Sequence, residues 1–192
     1  MGNSAIKDED RILIQRCLGG DAQASRRLFD KYCDRLYRLA YRYLGNREDA
    51  LDAAQQAFIN AFASLDRFEG QSELFTWLVR ITINAALDVR RQRSRQPAES
   101  HPESELLETG RQEGRAPVLR PEQVAQQHEL EQALREAVER LPEPQRSVFV
   151  LYTFEEMSYK EIAQALEISI GTVMSRLHYA RLRLQESLRN YL

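Results

Sequence analysis

Two groups of residues in this chain have types and spacings suited to handling nucleic acid. In the first, Phe68, Phe75 and Trp77 flank the polar loop 66–72, and Arg80, Asn84, Arg90, Arg91, Arg93 and Arg95 follow. Rings that stack, an amide that donates and accepts, and fixed cations suit the capture of unstacked bases from a single strand. Residue type alone also allows Phe75, Trp77 and Leu78 to be plain core. The second group lies in Ser158–Leu184, where Thr172, Ser175, Arg176, Tyr179, Arg181 and Arg183 share one side of a helical pattern. A polar, cationic helix face of that size fits the major groove of duplex DNA. A helical hairpin with a solvated basic face is the bland reading of the same residues.

Chemistry of other kinds is missing. The chain carries no GxxxxGK[ST], HExxH or GxSxG pattern. His101, His128 and His178 lie far apart, with no carboxylate or cysteine at metal-ligand spacing. Cys17 and Cys33 form no CxxC pair and sit where a small apolar residue would serve. We expect no catalysis, no cofactor and no metal.

The elements that would hold these groups are all helices. Residues 8–18 are amphipathic and stop at Gly19-Gly20. Asp21 caps a helix from Ala22 to about Leu44, with Leu28, Phe29, Tyr32, Leu36, Leu39, Ala40 and Tyr43 inward, and Gly45-Asn46 ends it. A third helix runs from Arg47 to about Leu65, with Ala50, Ala54, Ala57, Phe58, Ala61 and Phe62 inward. A fourth runs from Glu73 to Arg93 behind a Ser72 cap. After Arg95 the sequence turns polar, proline-bearing and aperiodic, which predicts a flexible acidic linker over 96–121. A helix from Pro121-Glu122 to about Leu141 (Val124, Leu130, Leu134, Ala137 and Val138 inward) and another over Glu143–Phe154 follow. Ser158 and Glu161 form a capping box before a short helix lined by Ile162, Ala163 and Leu166. Small Ala163 is placed where a second helix must approach closely. Ser169 then caps the last helix, lined by Val173, Leu177, Ala180 and Leu184. The predicted fold is all-α, with an N-terminal bundle over 1–95 and a helix-turn-helix domain over 122–192.

The chain has 192 residues, 43% of them apolar, and a net charge of −2. It is therefore no basic DNA-coating protein, and contact with nucleic acid must come from local patches. Residues 169–192 hold four arginines against one glutamate, and a second basic cluster closes the helix at Arg90–Arg95. Free thiols without an export signal or a run of ~20 apolar residues predict a cytoplasmic protein that inserts in no membrane.

Several stretches, in order, resemble the extracytoplasmic-function (ECF) sigma factors of bacterial RNA polymerase. They are Asp52-Ala-Ala-Gln-Gln-Ala-Phe58, Leu65-Asp-Arg-Phe-Glu-Gly70, Phe75-Thr-Trp-Leu78, Arg80-Ile-Thr-Ile-Asn84, Leu141-Pro142, Tyr159-Lys-Glu-Ile-Ala163 and Gly171-Thr-Val-Met-Ser-Arg176. The resemblance implies that Asp49, Asp52, Gln55, Gln56 and Asn60 dock on the β′ clamp of core RNA polymerase. It implies that Phe68, Arg80, Asn84, Arg90 and Arg91 bind the promoter minus-10 element, with a flipped base received by the loop 66–72. Thr172, Ser175, Arg176, His178, Tyr179 and Arg181 would then bind the minus-35 element, and an anti-sigma factor, possibly membrane-anchored, would control the protein. Gln56 and Ala53-Ala54 depart from the family's usual residues on the docking helix, and Met174, His178 and Tyr179 depart from them on the last helix, so the minus-35 sequence should differ too. Two further readings stay open at this point: a dimeric helix-turn-helix regulator of duplex DNA, and a helical adaptor with no DNA role.

Overall fold

The computed structural model describes residues 7–94 and 121–191, with the side chains of residues 121–128 and 190 outside that description. The linker expected over 96–121, Arg95 and the inward Val124 lie outside the described residues. Every regular element within them is helical: α1 Asp8–Leu18, α2 Ala22–Leu44, α3 Arg47–Ala63, α4 Leu74–Arg93, α5 Pro121–Glu139, α6 Glu143–Thr153, α7 Tyr159–Leu166 and α8 Ile170–Ser187. Short 3-10 turns occupy Leu65–Arg67 and Arg189–Tyr191.

Most boundaries follow local chemistry. The Asp21 carboxylate accepts from the amides of Gln23 and Ala24, and Gly45 closes α2 in the left-handed region at φ 82. Ser158 and Glu161 complete the capping box, the Ser158 amide donating to the Glu161 carboxylate at 2.8 Å. Ser169 caps α8 by accepting from the Thr172 amide at 3.0 Å. One expected cap fails. Glu73, not Ser72, precedes α4 and caps it with no side-chain bond, while the Ser72 hydroxyl donates to the Glu73 carbonyl.

The helices α1–α4 pack around α2, whose Leu28, Leu36, Leu39 and Tyr43 are at most 1% exposed. Ala50, Ala53, Ala57 and Ala61 line the inner side of α3 and let its backbone approach α2 and α4 closely. Asp10 ties α1 on, accepting from Lys31 at 2.7 Å and from the Tyr32 hydroxyl at 2.8 Å. Burial, and then that bond, pushes the Tyr32 hydroxyl's pKa up. The second group, α5–α8, closes over Val148, Leu151, Ile162, Val173, Leu177 and Ala180. Four inward assignments change. Phe29, Phe62 and Leu130 stand exposed, and Ala165 rather than half-buried Ala163 is the small residue buried in α7.

The two groups meet along a polar seam. Buried Arg146 of α6 donates to the carbonyls of Tyr43, at 3.3 Å, and Leu141, at 3.0 Å. In return Arg42 of α2 donates to the Phe154 carbonyl beyond α6 at 3.1 Å. Each half thus supplies an arginine to carbonyls that the other half's helix end leaves unpaired. Glu155, 7% exposed, holds Arg35 at 3.0 Å and Arg42 at 3.1 Å. Burial, followed by the nearby Arg90, lowers the pKa of Arg146 to about 10. Gly45 is required by its φ of 82, and a Cβ there would also displace the Glu139 carboxylate.

Candidate nucleic-acid interface

Residues 77, 80, 84, 88 and 91 recur at intervals of three and four, so α4 presents Trp77, Arg80, Asn84, Asp88 and Arg91 along one line. At its head Phe68 leaves the 3-10 turn with its ring 5.2 Å from that of Trp77. Both rings are half-buried, so Trp77 is neither simple core nor a free platform: one side packs and the other faces the loop. Gly70, at φ 73, gives the loop its turn in a backbone region other residues rarely take. Asn84 is exposed in the middle of the line.

Three of the four cations of this helix are engaged by carboxylates. Arg80 meets Glu167, in the turn between α7 and α8, at 2.8 Å, and Arg93 meets Asp49 at 2.6 Å. Arg91 lies 3.5 Å from Asp88 and 3.9 Å from Glu143. Arg90 does not join the line. It turns a quarter of the helix away toward Tyr43 and Arg146, with Nη1 buried and unbonded among the described residues. The structure therefore brings Phe68, Arg80, Asn84 and Arg91 together and leaves Arg90 at the seam.

On α3 the outward face carries Asp52, Gln55 and Gln56, and Gln56 donates to the Asn60 side chain at 2.9 Å. Asp49 sits apart, half-buried between the Asn46 amide group at 2.6 Å and Arg93. Sequence reasoning missed the apolar share of this face. Ile59 stands among the polar residues 54% exposed, and Leu51 and Phe62 flank it, beside the Phe29–Phe58 ring pair at 4.7 Å. Leu51, Gln55 and Ile59 at i, i+4 and i+8 were the available signal. Four exposed apolar side chains, Phe29, Leu51, Ile59 and Phe62, bordered by polar ones have the composition of a protein-binding face.

The burial of Val173, Leu177, Ala180 and Leu184 fixes which side of α8 turns outward. Ser175, His178 and Tyr179 are exposed there, with the last two rings edge to face at 5.5 Å. Thr172 is half-buried and serves the cap, its hydroxyl 2.8 Å from that of Ser169. Arg176 is half-buried on the flank, and the Arg181 guanidinium lies 5.1 Å above the Tyr152 ring. Ser175, His178 and Tyr179 thus form the outward surface, while Thr172, Arg176 and Arg181 border it.

Comparison with known proteins matches both parts of the chain. Sigma-70 region 2 matches residues 28–96, and sigma-70 region 4 matches residues 131–184. RNA polymerase sigma-H factor of Pseudomonas aeruginosa is 33% identical over 183 residues, covering 95% of each chain. The ECF RNA polymerase sigma factor SigW of Bacillus subtilis is 35% identical, covering 92% of this chain and 95% of its own. The ECF RNA polymerase sigma-E factor of Escherichia coli K12 is 34% identical over 90% of each chain. Among solved structures, CnrH in complex with the cytosolic domain of CnrY superimposes with a TM-score of 0.68 at 25% identity, over 95% of this chain and 99% of that one. The sigma factor RpoE of Bartonella quintana, bound to the anti-sigma factor NepR, gives 0.61 at 25% identity, over 85% and 96%.

Proposed function

The chain belongs to the ECF family of RNA polymerase sigma factors, and from that premise we propose how its residues divide the work. It binds core RNA polymerase and directs promoter-specific transcription initiation under the control of an anti-sigma factor. Residues 1–95 are the part that docks and opens DNA, and residues 122–192 the part that reads the upstream duplex. Asp52, Gln55, Gln56 and Asn60, joined by Leu51 and Ile59, meet the β′ clamp. Phe68 and Trp77 border the pocket for an unstacked minus-10 base, Asn84 addresses its polar edge, and Arg80 and Arg91 hold the backbone. The outward surface of α8 enters the minus-35 major groove. The protein is a specificity subunit, not a catalyst, and works in the cytoplasm. No helix among the described residues is long and apolar enough to cross a membrane.

The observation that carries this reading is the α4 line: two half-buried rings at its head, beside a loop turned by Gly70, with an exposed amide and two cations following on the same side of the helix. A dimeric regulator has no use for such a strip, since duplex bases are already stacked. The test is reconstitution. Chain plus core polymerase should start transcription at a bipartite promoter, while the chain alone binds that duplex weakly. Asn84→Ala and Phe68→Ala should cut promoter opening and leave polymerase binding intact. Equal loss of both would remove the pocket assignment. Tight palindrome binding by the isolated chain, without polymerase, would remove the sigma reading itself.

A further inference from the structure

We propose that Met174 selects the minus-35 sequence by packing on the 5-methyl group of a thymine, at the edge of an uncharged strip made by Gly171, Ser175 and His178. The proposal rests on the assignment of α8 to the minus-35 duplex and adds the base it prefers.

The strip follows from the geometry of α8. Positions 171, 175 and 178 recur at helical spacing opposite the buried row Val173, Leu177 and Ala180, Met174 borders them a quarter-turn from that row, and all four are exposed. They fill the N-terminal turns of the helix, the part that reaches base edges in a helix-turn-helix. Arginines lie elsewhere: Arg176 on the flank, Arg181 over the Tyr152 ring, Arg183 a turn further on.

Side-chain chemistry then limits what the strip can read. Guanine is recognised through O6 and N7 by arginine or lysine, and adenine through N6 and N7 by asparagine or glutamine. None of these four types is present. The Ser175 hydroxyl already donates to the Thr172 carbonyl at 3.1 Å. Met174 offers a thioether and a methyl, 54% exposed. The one group that the major groove offers to an apolar side chain is the thymine C5-methyl. Methionine is also unbranched and soft enough to settle on it.

Gly171 supports the same conclusion. A Cβ there would meet nothing closer than the Ser169 hydroxyl oxygen at 3.8 Å, and its φ is not positive. Nothing within the protein requires glycine at this place. A bare backbone one turn before Ser175 lets the groove edge come close beside Met174.

The test uses holoenzyme assembled from the full chain and core polymerase. A duplex library randomised at the minus-35 region is selected for open-complex formation. Each thymine of the selected element is then replaced by deoxyuridine, which deletes the methyl and keeps every hydrogen-bonding group. One or two thymines should lose about fourfold in affinity, the worth of one buried methyl. Met174→Ala should abolish that penalty at the same thymines and leave the others unchanged, and Met174→Arg should move the preference toward G·C. If deoxyuridine is neutral at every thymine, or its penalty persists in Met174→Ala, the proposal is overturned while the minus-35 assignment stands. If holoenzyme selects no upstream element although it transcribes, the assignment of α8 falls, and the proposal with it.

Discussion

The helices α4 and α8 are both assigned to DNA, yet this structure presents them in opposite states. On α4 the cations are matched by the protein's own acids: Arg80 by Glu167, Arg91 by Asp88 and Glu143, Arg93 by Asp49. On α8 the outward strip is uncovered, and no carboxylate is paired with it among the described residues. Two of the acids that engage α4, Glu143 and Glu167, come from the other half of the chain, and Glu167 sits in the helix-turn-helix itself. On the proposed assignment, the closed chain leaves its duplex-reading face uncovered while the same module engages Arg80 on the strand-opening face. Parting the halves would release Arg80 and Arg91 from Glu167 and Glu143 and open the ion pairs of the seam to water, which makes the closed state sensitive to salt and to partners.

The strongest way to break this contrast is Glu155→Ala. It strands Arg35 and Arg42 at the seam and should cost about 2–3 kcal/mol, below the full penalty of a buried pair because both arginines are partly exposed. Thermal unfolding together with a larger radius in small-angle scattering would report it; an unchanged radius and melting temperature would show that the seam does not depend on Glu155. Next comes Arg176→Ala on α8. As a flanking phosphate contact it should weaken duplex binding by about 1 kcal/mol for every sequence and lower the salt slope by roughly one. A loss confined to one base pair would put Arg176 on a base instead. Glu167→Gln sharpens the contrast from the α4 side. The Arg80–Glu167 pair is largely solvent-exposed and is worth about 0–1 kcal/mol. Its removal should raise the free chain's affinity for a minus-10 single strand up to about threefold, measured by fluorescence anisotropy at low salt, and a drop would mean that Glu167 helps DNA binding.

The smallest effect concerns Glu139, whose pKa is raised mainly by burial at the seam. A raised acid favours the folded state when protonated, so its contribution is present at low pH and fades as pH rises through the folded pKa. Glu139→Gln should therefore stabilise the protein by less than about 1 kcal/mol at neutral pH and have no effect below about pH 4. Destabilisation at neutral pH would mean that the attraction of Arg146 and Arg135 outweighs burial.

Local chemistry made much of this fold legible. Asp21, Gly45, Ser158 and Ser169 each fix a helix end through bonds to their own neighbours, and all four stand where the sequence put them. The buried row of α8 followed from period alone. What failed depended on distant partners. Phe29 and Phe62 have the right period for a core, but no other helix covers that side of α2 and α3 among the described residues. Arg90 belongs by sequence to a basic run, yet helix rotation carries it away from Arg80 and Asn84 and under the second half. Glu155 was silent because a carboxylate in an acidic pair gives no hint of arginines 113 and 120 residues earlier. The candidate site was correspondingly legible where its residues share one helix face, and obscure where two halves decide it.

That same separation sets an order in time. Arg35, Arg42 and Tyr43 leave the ribosome long before Arg146 and Glu155, which cover them, and synthesis at about 5–20 residues per second makes the gap roughly 5–24 s. Contacts among α1–α4 are local enough to form well within that interval. The seam cannot close until Glu155 has emerged, so closure comes late in the making of every molecule. Whatever meets the chain before then meets it open.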